Sequence, residues 1–262
     1  MNNKTTEKNM NPNGDVNIQV ENNIATIEFY HPSSNALPGN VLRKLAETIE
    51  AAGNNDEVRV IVLKSGGNRA FCAGASFDEL ISITDYPTGK NFFMGFAVVI
   101  NAIRKCPKFV IARVQGKAVG GGVGVLSAAD YTLATKFSSV KLSELALGIG
   151  PFVVGPAVER KIGKSAFSQM SIDYEWYSAE WAKDRGFYAE VYEDIEALDI
   201  AVAEFATKMA GNSPEAMAEL KKVTWSGTED WDNLLESRAE ISGRLVLSDF
   251  TKNYIKKFKE KK

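Results

Sequence analysis

Two glycine-flanked turns and one carboxylate are the residues of this chain best suited to chemistry. The turns are Arg69-Ala70-Phe71-Cys72-Ala73-Gly74-Ala75 and Gln115-Gly116-Lys117-Ala118-Val119-Gly120-Gly121-Gly122-Val123-Gly124. Small side chains there let bare backbone N–H groups come up against a ligand oxygen. Two such donors meeting at one point form an oxyanion hole, which stabilises negative charge building on a carbonyl oxygen. Glu144 follows, inside Val140-Lys141-Leu142-Ser143-Glu144-Leu145-Ala146-Leu147-Gly148. A carboxylate beside such a hole can move a proton. Either turn alone reads as an ordinary tight turn; the pair followed by a carboxylate points to chemistry.

The elements that must position these residues alternate in type. Each turn follows an apolar run, at 58–63 and 109–114, that reads as a buried strand. Residues 16–20 and 24–29 flank the polar turn Glu21-Asn22-Asn23 and suggest a hairpin. Helical spacing runs over 38–52, with Gly53 as a stop, and over 92–103, ended by Pro107. The triple glycine opens another helix through Ser127-Ala128-Ala129, and 131–134 is the next strand. Such alternation predicts parallel strands joined by crossover helices. After Pro151 short helices are expected at 157–162, 165–171 and 179–185, then longer amphipathic ones at 198–210, 214–225 and 231–247. The division read from this pattern is a leader at 1–14, an α/β core at 15–195 and a helical region at 196–262.

Composition narrows the class. A chain of 262 residues with 45% hydrophobic content can bury a large core, and its net charge of -2 gives no reason to invoke nucleic acid. Its two cysteines, Cys72 and Cys106, show neither a disulfide framework nor metal spacing, which fits a reducing cytoplasm. No run of about 18 apolar residues is present, so no membrane span is expected. Residues 1–14 are rich in Asn, Lys and Thr and lack an apolar signal-peptide segment, so they read as a disordered leader.

Together the two turns and the Glu144 segment resemble the crotonase superfamily, the enoyl-CoA hydratases and isomerases, over nearly the whole chain past the leader. The resemblance implies an α/β fold, a crotonase-like spiral of ββα units with a C-terminal helical trimerisation region. It implies a homotrimer or a dimer of trimers. Carried over by motif, the N–H groups of Ala75 and Gly121 are the oxyanion donors and Glu144 is the proton carrier. Ala73, Gly74, Ala36, Gly122 and Phe152 become substrate-binding positions. The substrate is an acyl-CoA thioester, so coenzyme A enters as part of it and no separate cofactor is expected.

The chain also departs from the family pattern. Typical hydratases carry a first glutamate in the helix opened by the triple glycine, where this chain has Gly124. Two carboxylates can hold and activate one water, whereas one suffices to move a proton between two carbons of a substrate. Gly124 therefore favours double-bond isomerisation over hydration. Against that, Gly155-Pro156-Ala157-Val158-Glu159-Arg160-Lys161-Ile162-Gly163 resembles the branch containing methylglutaconyl-CoA hydratases. Phe152 and Val153 put bulk where the acyl pocket is expected; core packing is an equal reading of Phe152. Asp78 stands where many relatives have Lys, and the lysines of 252–259 could supply that phosphate contact, although a solvated basic helix end is the plainer reading.

Rival chemistries find less support. His31, the one histidine, precedes Pro32 in an expected loop and reads as a surface residue. Cys72 reads as a small buried thiol, with no histidine nearby to activate it. Gly122-Val123-Gly124-Val125-Leu126-Ser127 lacks the third Gly or Ala of a dinucleotide fingerprint, and no phosphate-binding loop signature is present. A catalytically silent acyl-CoA-binding protein, and RNA binding through the lysine-rich end, stand as the other classes.

Overall fold

The computed structural model describes residues 11–259. Most of the leader expected at 1–14 lies outside them. A hairpin opens the fold, β1 (Asp15–Glu21) against β2 (Ile24–Tyr30). Asn22 and Asn23 make its turn with φ of 52° and 64°. Two successive left-handed residues match the twist of a hairpin, and asparagine tolerates that region well. Helix α1 (Gly39–Gly53) then leads to β3 (Val60–Ser65). Helices α2 (Phe77–Ser82) and α3 (Tyr86–Lys105) lead to β4 (Phe109–Val114).

The two-residue strand β5 (Ala118–Val119), helix α4 (Gly121–Ala128), β6 (Tyr131–Thr135) and the short β7 (Val140–Lys141) follow. A six-stranded sheet in the order β1-β2-β3-β4-β6 and a last strand β8 (Glu190–Tyr192) is antiparallel only at the opening hairpin. This is the parallel, helix-connected α/β architecture that the alternation of patterns predicts.

The sheet is buried on both faces, and β3 shows how. Ile61 and Leu63 enter the main core with α1 and α3, while Val60 and Val62 point the other way. There they meet Leu198, Val202 and Ala206. The period of two along the strand sends alternate side chains to opposite faces. Those partners lie on helix α7 (Ile195–Ala210), which follows α5 (Gly155–Asp173) and α6 (Ala179–Asp184).

The expected helices at 157–162 and 165–171 form one element, α5, with Gly163 at φ 80° and ψ 158° marking the break between them. Helix α3 starts six residues before the expected 92, because Asp85 Oδ1 accepts from the Thr88 N–H and Pro87 fits the first turn. Helices α8 (Pro214–Thr224), α9 (Trp231–Leu245) and α10 (Asp249–Lys259) complete the chain. Trp231, Leu235 and Ala239 of α9 join the main core.

Candidate active site

The two glycine turns lie side by side. Phe71 N–H donates to Lys117 O and Val119 N–H donates to Cys72 O, both at 2.9 Å. Bridges Cys72↔Ala118 and Leu37↔Ala75 extend this pairing beside the two-stranded sheet of β5 and β7. Asn35 anchors the outer loop. Its Nδ2 donates to Gly66 O and Ala70 O at 3.0 Å, and its Oδ1 accepts from the His31 N–H. With both turns clamped, the N–H groups of Ala75 and Gly121 are left without a hydrogen-bond acceptor among the described residues. Gly121 is the first residue of α4, where N–H groups lack an intrahelical partner and the helix end carries positive potential.

Glu144 follows β7 and caps a single turn of tighter helix at Leu145–Leu147. Its carboxylate faces the second glycine turn: a Cβ built on Gly120 would lie 3.0 Å from Glu144 Oε1. Gly120 has φ +53°, so glycine serves this position twice, by conformation and by clearance. Glu144 Oε2 is shut off from solvent and has no hydrogen-bond partner among the described residues. Burial raises the carboxyl pKa to about 7, and backbone amides at Glu144 and Ser143 oppose that shift only in part. A carboxylic acid held near neutrality can both take and give a proton.

These groups open on one cavity of about 390 Å³. Its lining includes Ala36, Ala73, Gly74, Ala75, Gly121, Glu144 and Phe152 from the expected positions. Gly122 is absent from that lining; a Cβ there would sit 2.7 Å from Cys72 Cβ, so this glycine serves packing between the turns. At Gly124 a Cβ would meet Val154 Cγ1 at 2.4 Å, so the side-chain space expected for a first glutamate is taken by Val154. Among the described lining residues Glu144 is the one carboxylate.

Several lining residues carry no functional signal in the amino-acid sequence. Phe77 and Leu80 come from α2, Phe92, Phe93 and Phe96 from α3, and Ser242 and Tyr254 from α9 and α10. The spacing Phe92, Phe93, Phe96 puts three rings on one helix face, a pattern that core packing produces equally well. Cys72 is fully buried and its thiol pKa is pushed up to about 12 by that burial, which leaves it inert as a nucleophile. His31 is partly buried, its pKa lowered by desolvation, and its Nδ1 accepts from the Ser33 N–H at 3.3 Å. Among the described residues no group of three or more His, Cys, Asp or Glu could hold a metal ion, and no helix is long and apolar enough to cross a membrane.

The model of the enoyl-CoA hydratase/isomerase family matches residues 19–262. A probable enoyl-CoA hydratase from Bacillus subtilis is 27% identical over 256 residues, covering 94% of this chain and 96% of the relative. The peroxisomal Delta(3,5)-Delta(2,4)-dienoyl-CoA isomerase of Arabidopsis thaliana is 28% identical over 231 residues, with 82% of each chain covered. Among solved structures, a putative enoyl-CoA hydratase from Mycobacterium avium paratuberculosis superposes with a TM-score of 0.84. It is 26% identical, over 94% of this chain and 97% of that one.

Proposed function

Given that this chain belongs to the enoyl-CoA hydratase/isomerase family, we propose that it moves the double bond of an enoyl-CoA with Glu144 as its single acid–base group. The thioester oxygen sits between the N–H groups of Ala75 and Gly121. Glu144 takes a proton from the carbon next to the thioester carbonyl, and the released electron pair moves onto the oxygen as a dienolate. Returning the same proton to the far carbon of the conjugated system completes the shift, with no net change in atoms. One oxyanion donor is worth about 10²–10³ in rate and a positioned acid–base group about 10²–10⁴.

The observation that carries this reading is the lone carboxylate. Glu144 is the one acid among the described lining residues, and Val154 fills the volume beside Gly124. Hydration is the second reading, favoured by relatives named as hydratases; it requires Glu144 alone to hold and activate the water. Incubation with 3-enoyl-CoA and 2-enoyl-CoA thioesters, followed by product chromatography, separates the two. Double-bond migration lost in Glu144→Gln supports isomerisation. Hydration that depends on Glu144 supports the second reading, and acyl-CoA binding without turnover supports a silent binding protein.

The same reading takes coenzyme A as part of the substrate, with no separate cofactor. It also includes a homotrimer or dimer of trimers, which light scattering after size exclusion tests. A cytoplasmic setting goes with Cys72 and Cys106, both free and buried.

A further inference from the structure

We infer that the cavity beside Glu144 is shaped for an uncharged, apolar acyl group longer than four carbons and turns away an acyl chain that ends in a second carboxylate. The inference rests on the thioester reading above and adds the class of acyl group. Five phenylalanines line the cavity: Phe77, Phe92, Phe93, Phe96 and Phe152. Phe92 and Phe93 are only half-buried and meet edge to face, centroids 5.1 Å apart at 89°. Apolar surface left open inside a cavity is surface that a bound chain or ring would cover, and ring edges and faces both accept such contacts. A volume of about 390 Å³ leaves room for more than a four-carbon chain.

The polar groups argue the same way. Lys141 is the one cation among the described lining residues, and its Nζ lies 5.9 Å from the ring centre of Trp176. Trp176 is 43% exposed and does not line the cavity, and Lys117 lies closer over its ring, at 4.7 Å, so the contact holds Lys141 only at the outer limit of a cation–π interaction. Ser143, Ser242 and Tyr254 offer neutral hydroxyls. A distal carboxylate entering here would lose its water with no cation but Lys141 in the lining, and it would share the cavity with Glu144.

Calorimetric titration with saturated thioesters separates acyl recognition from turnover. Hexanoyl-CoA is expected to bind about fifteen-fold tighter than butyryl-CoA, from about four-fold per buried methylene. Glutaryl-CoA is expected to bind about ten-fold or more weaker than butyryl-CoA. The Phe152→Arg variant, with its fold checked by thermal melting, should raise glutaryl-CoA affinity, and Phe93→Ala should shrink the hexanoyl preference. Glutaryl-CoA binding as tightly as butyryl-CoA, or no gain from the two added methylenes, overturns the inference. Hexanoyl preference without turnover of any enoyl-CoA keeps it and removes the isomerase reading. Turnover that favours glutaconyl-CoA keeps the enzyme and removes the inference.

Discussion

Val154 occupies the space that a side chain at Gly124 would need. A Cβ on Gly124 would lie 2.4 Å from Val154 Cγ1 and 3.3 Å from Ile100 Cδ1. Gly124 sits inside α4, and Val154 immediately precedes α5. A side chain at 124 and Val154 thus compete for one volume. Gly124→Glu by itself is therefore not expected to add water chemistry, because its first carbon already collides.

Gly124→Ala is expected to lower stability by about 1–3 kcal/mol, the usual cost of forcing a methyl group into a packed site. Val154→Ala in the same chain should return most of that loss, although it leaves its own cavity elsewhere. Urea denaturation of both single variants and the double one gives the coupling energy directly. Additive losses would show that the two residues do not share this volume.

Gly121→Ala tests the proposed second oxyanion donor. A Cβ there would lie 2.3 Å from Phe96 ring carbons, so the ring or the turn must shift. Misaligning one donor is expected to lower kcat by about 10²–10³-fold, with KM affected much less. Steady-state kinetics on an enoyl-CoA reads both. An unchanged kcat would remove Gly121 from the reaction.

Much of this site could be read from the chain itself. The two turns announce themselves through Gly74 and the triple glycine at 120–122, and Glu144 through its order after them. Strands β3 and β4 stand out as short β-branched runs, which only a doubly covered sheet explains well. The phenylalanines of α3 were not legible as site residues. A ring facing a cavity and a ring facing the core share one helical period, and only the tertiary structure tells them apart. Strands β5 and β7 are two residues each and too short to carry any pattern. Tyr254 reaches the cavity from α10, more than 100 residues after Glu144, so no local signal could link them.

Asp130 and Lys221 form a buried tie between the sheet and α8. Lys221 Nζ donates to Asp130 Oδ2 at 2.7 Å and to Lys108 O at 2.8 Å. Asp130 also accepts from the Val110 N–H and from Trp225 Nε1. Asp130→Ala leaves a buried ammonium without its counter-ion and is expected to cost about 3–5 kcal/mol. Lys221→Met should cost less, because Asp130 keeps two donors. Equal losses in chemical denaturation would show that the pair is not organised around the carboxylate.

Glu144, as the proposed acid–base group, is expected to link activity and stability through pH, with opposite signs. Its pKa is raised from 4.5 to about 7 because burial disfavours the charged carboxylate. Between these values the folded protein holds a proton that the unfolded chain has released. Stability therefore falls as pH rises from 4.5 to about 7, by an amount on the order of 3 kcal/mol in total. Proton abstraction needs the ionised form, so turnover should climb across the same upper range and level off above it. Glu144→Gln removes the ionisation: the variant is expected to lose turnover yet exceed the parent in stability above pH 7. Near pH 4.5 that advantage should vanish, since both side chains are then neutral in the folded protein. Denaturation midpoints of the two proteins across this range decide the matter. A stability difference that stays flat with pH would show that the Glu144 carboxylate is not held in the low-dielectric site that its proposed role as proton carrier requires.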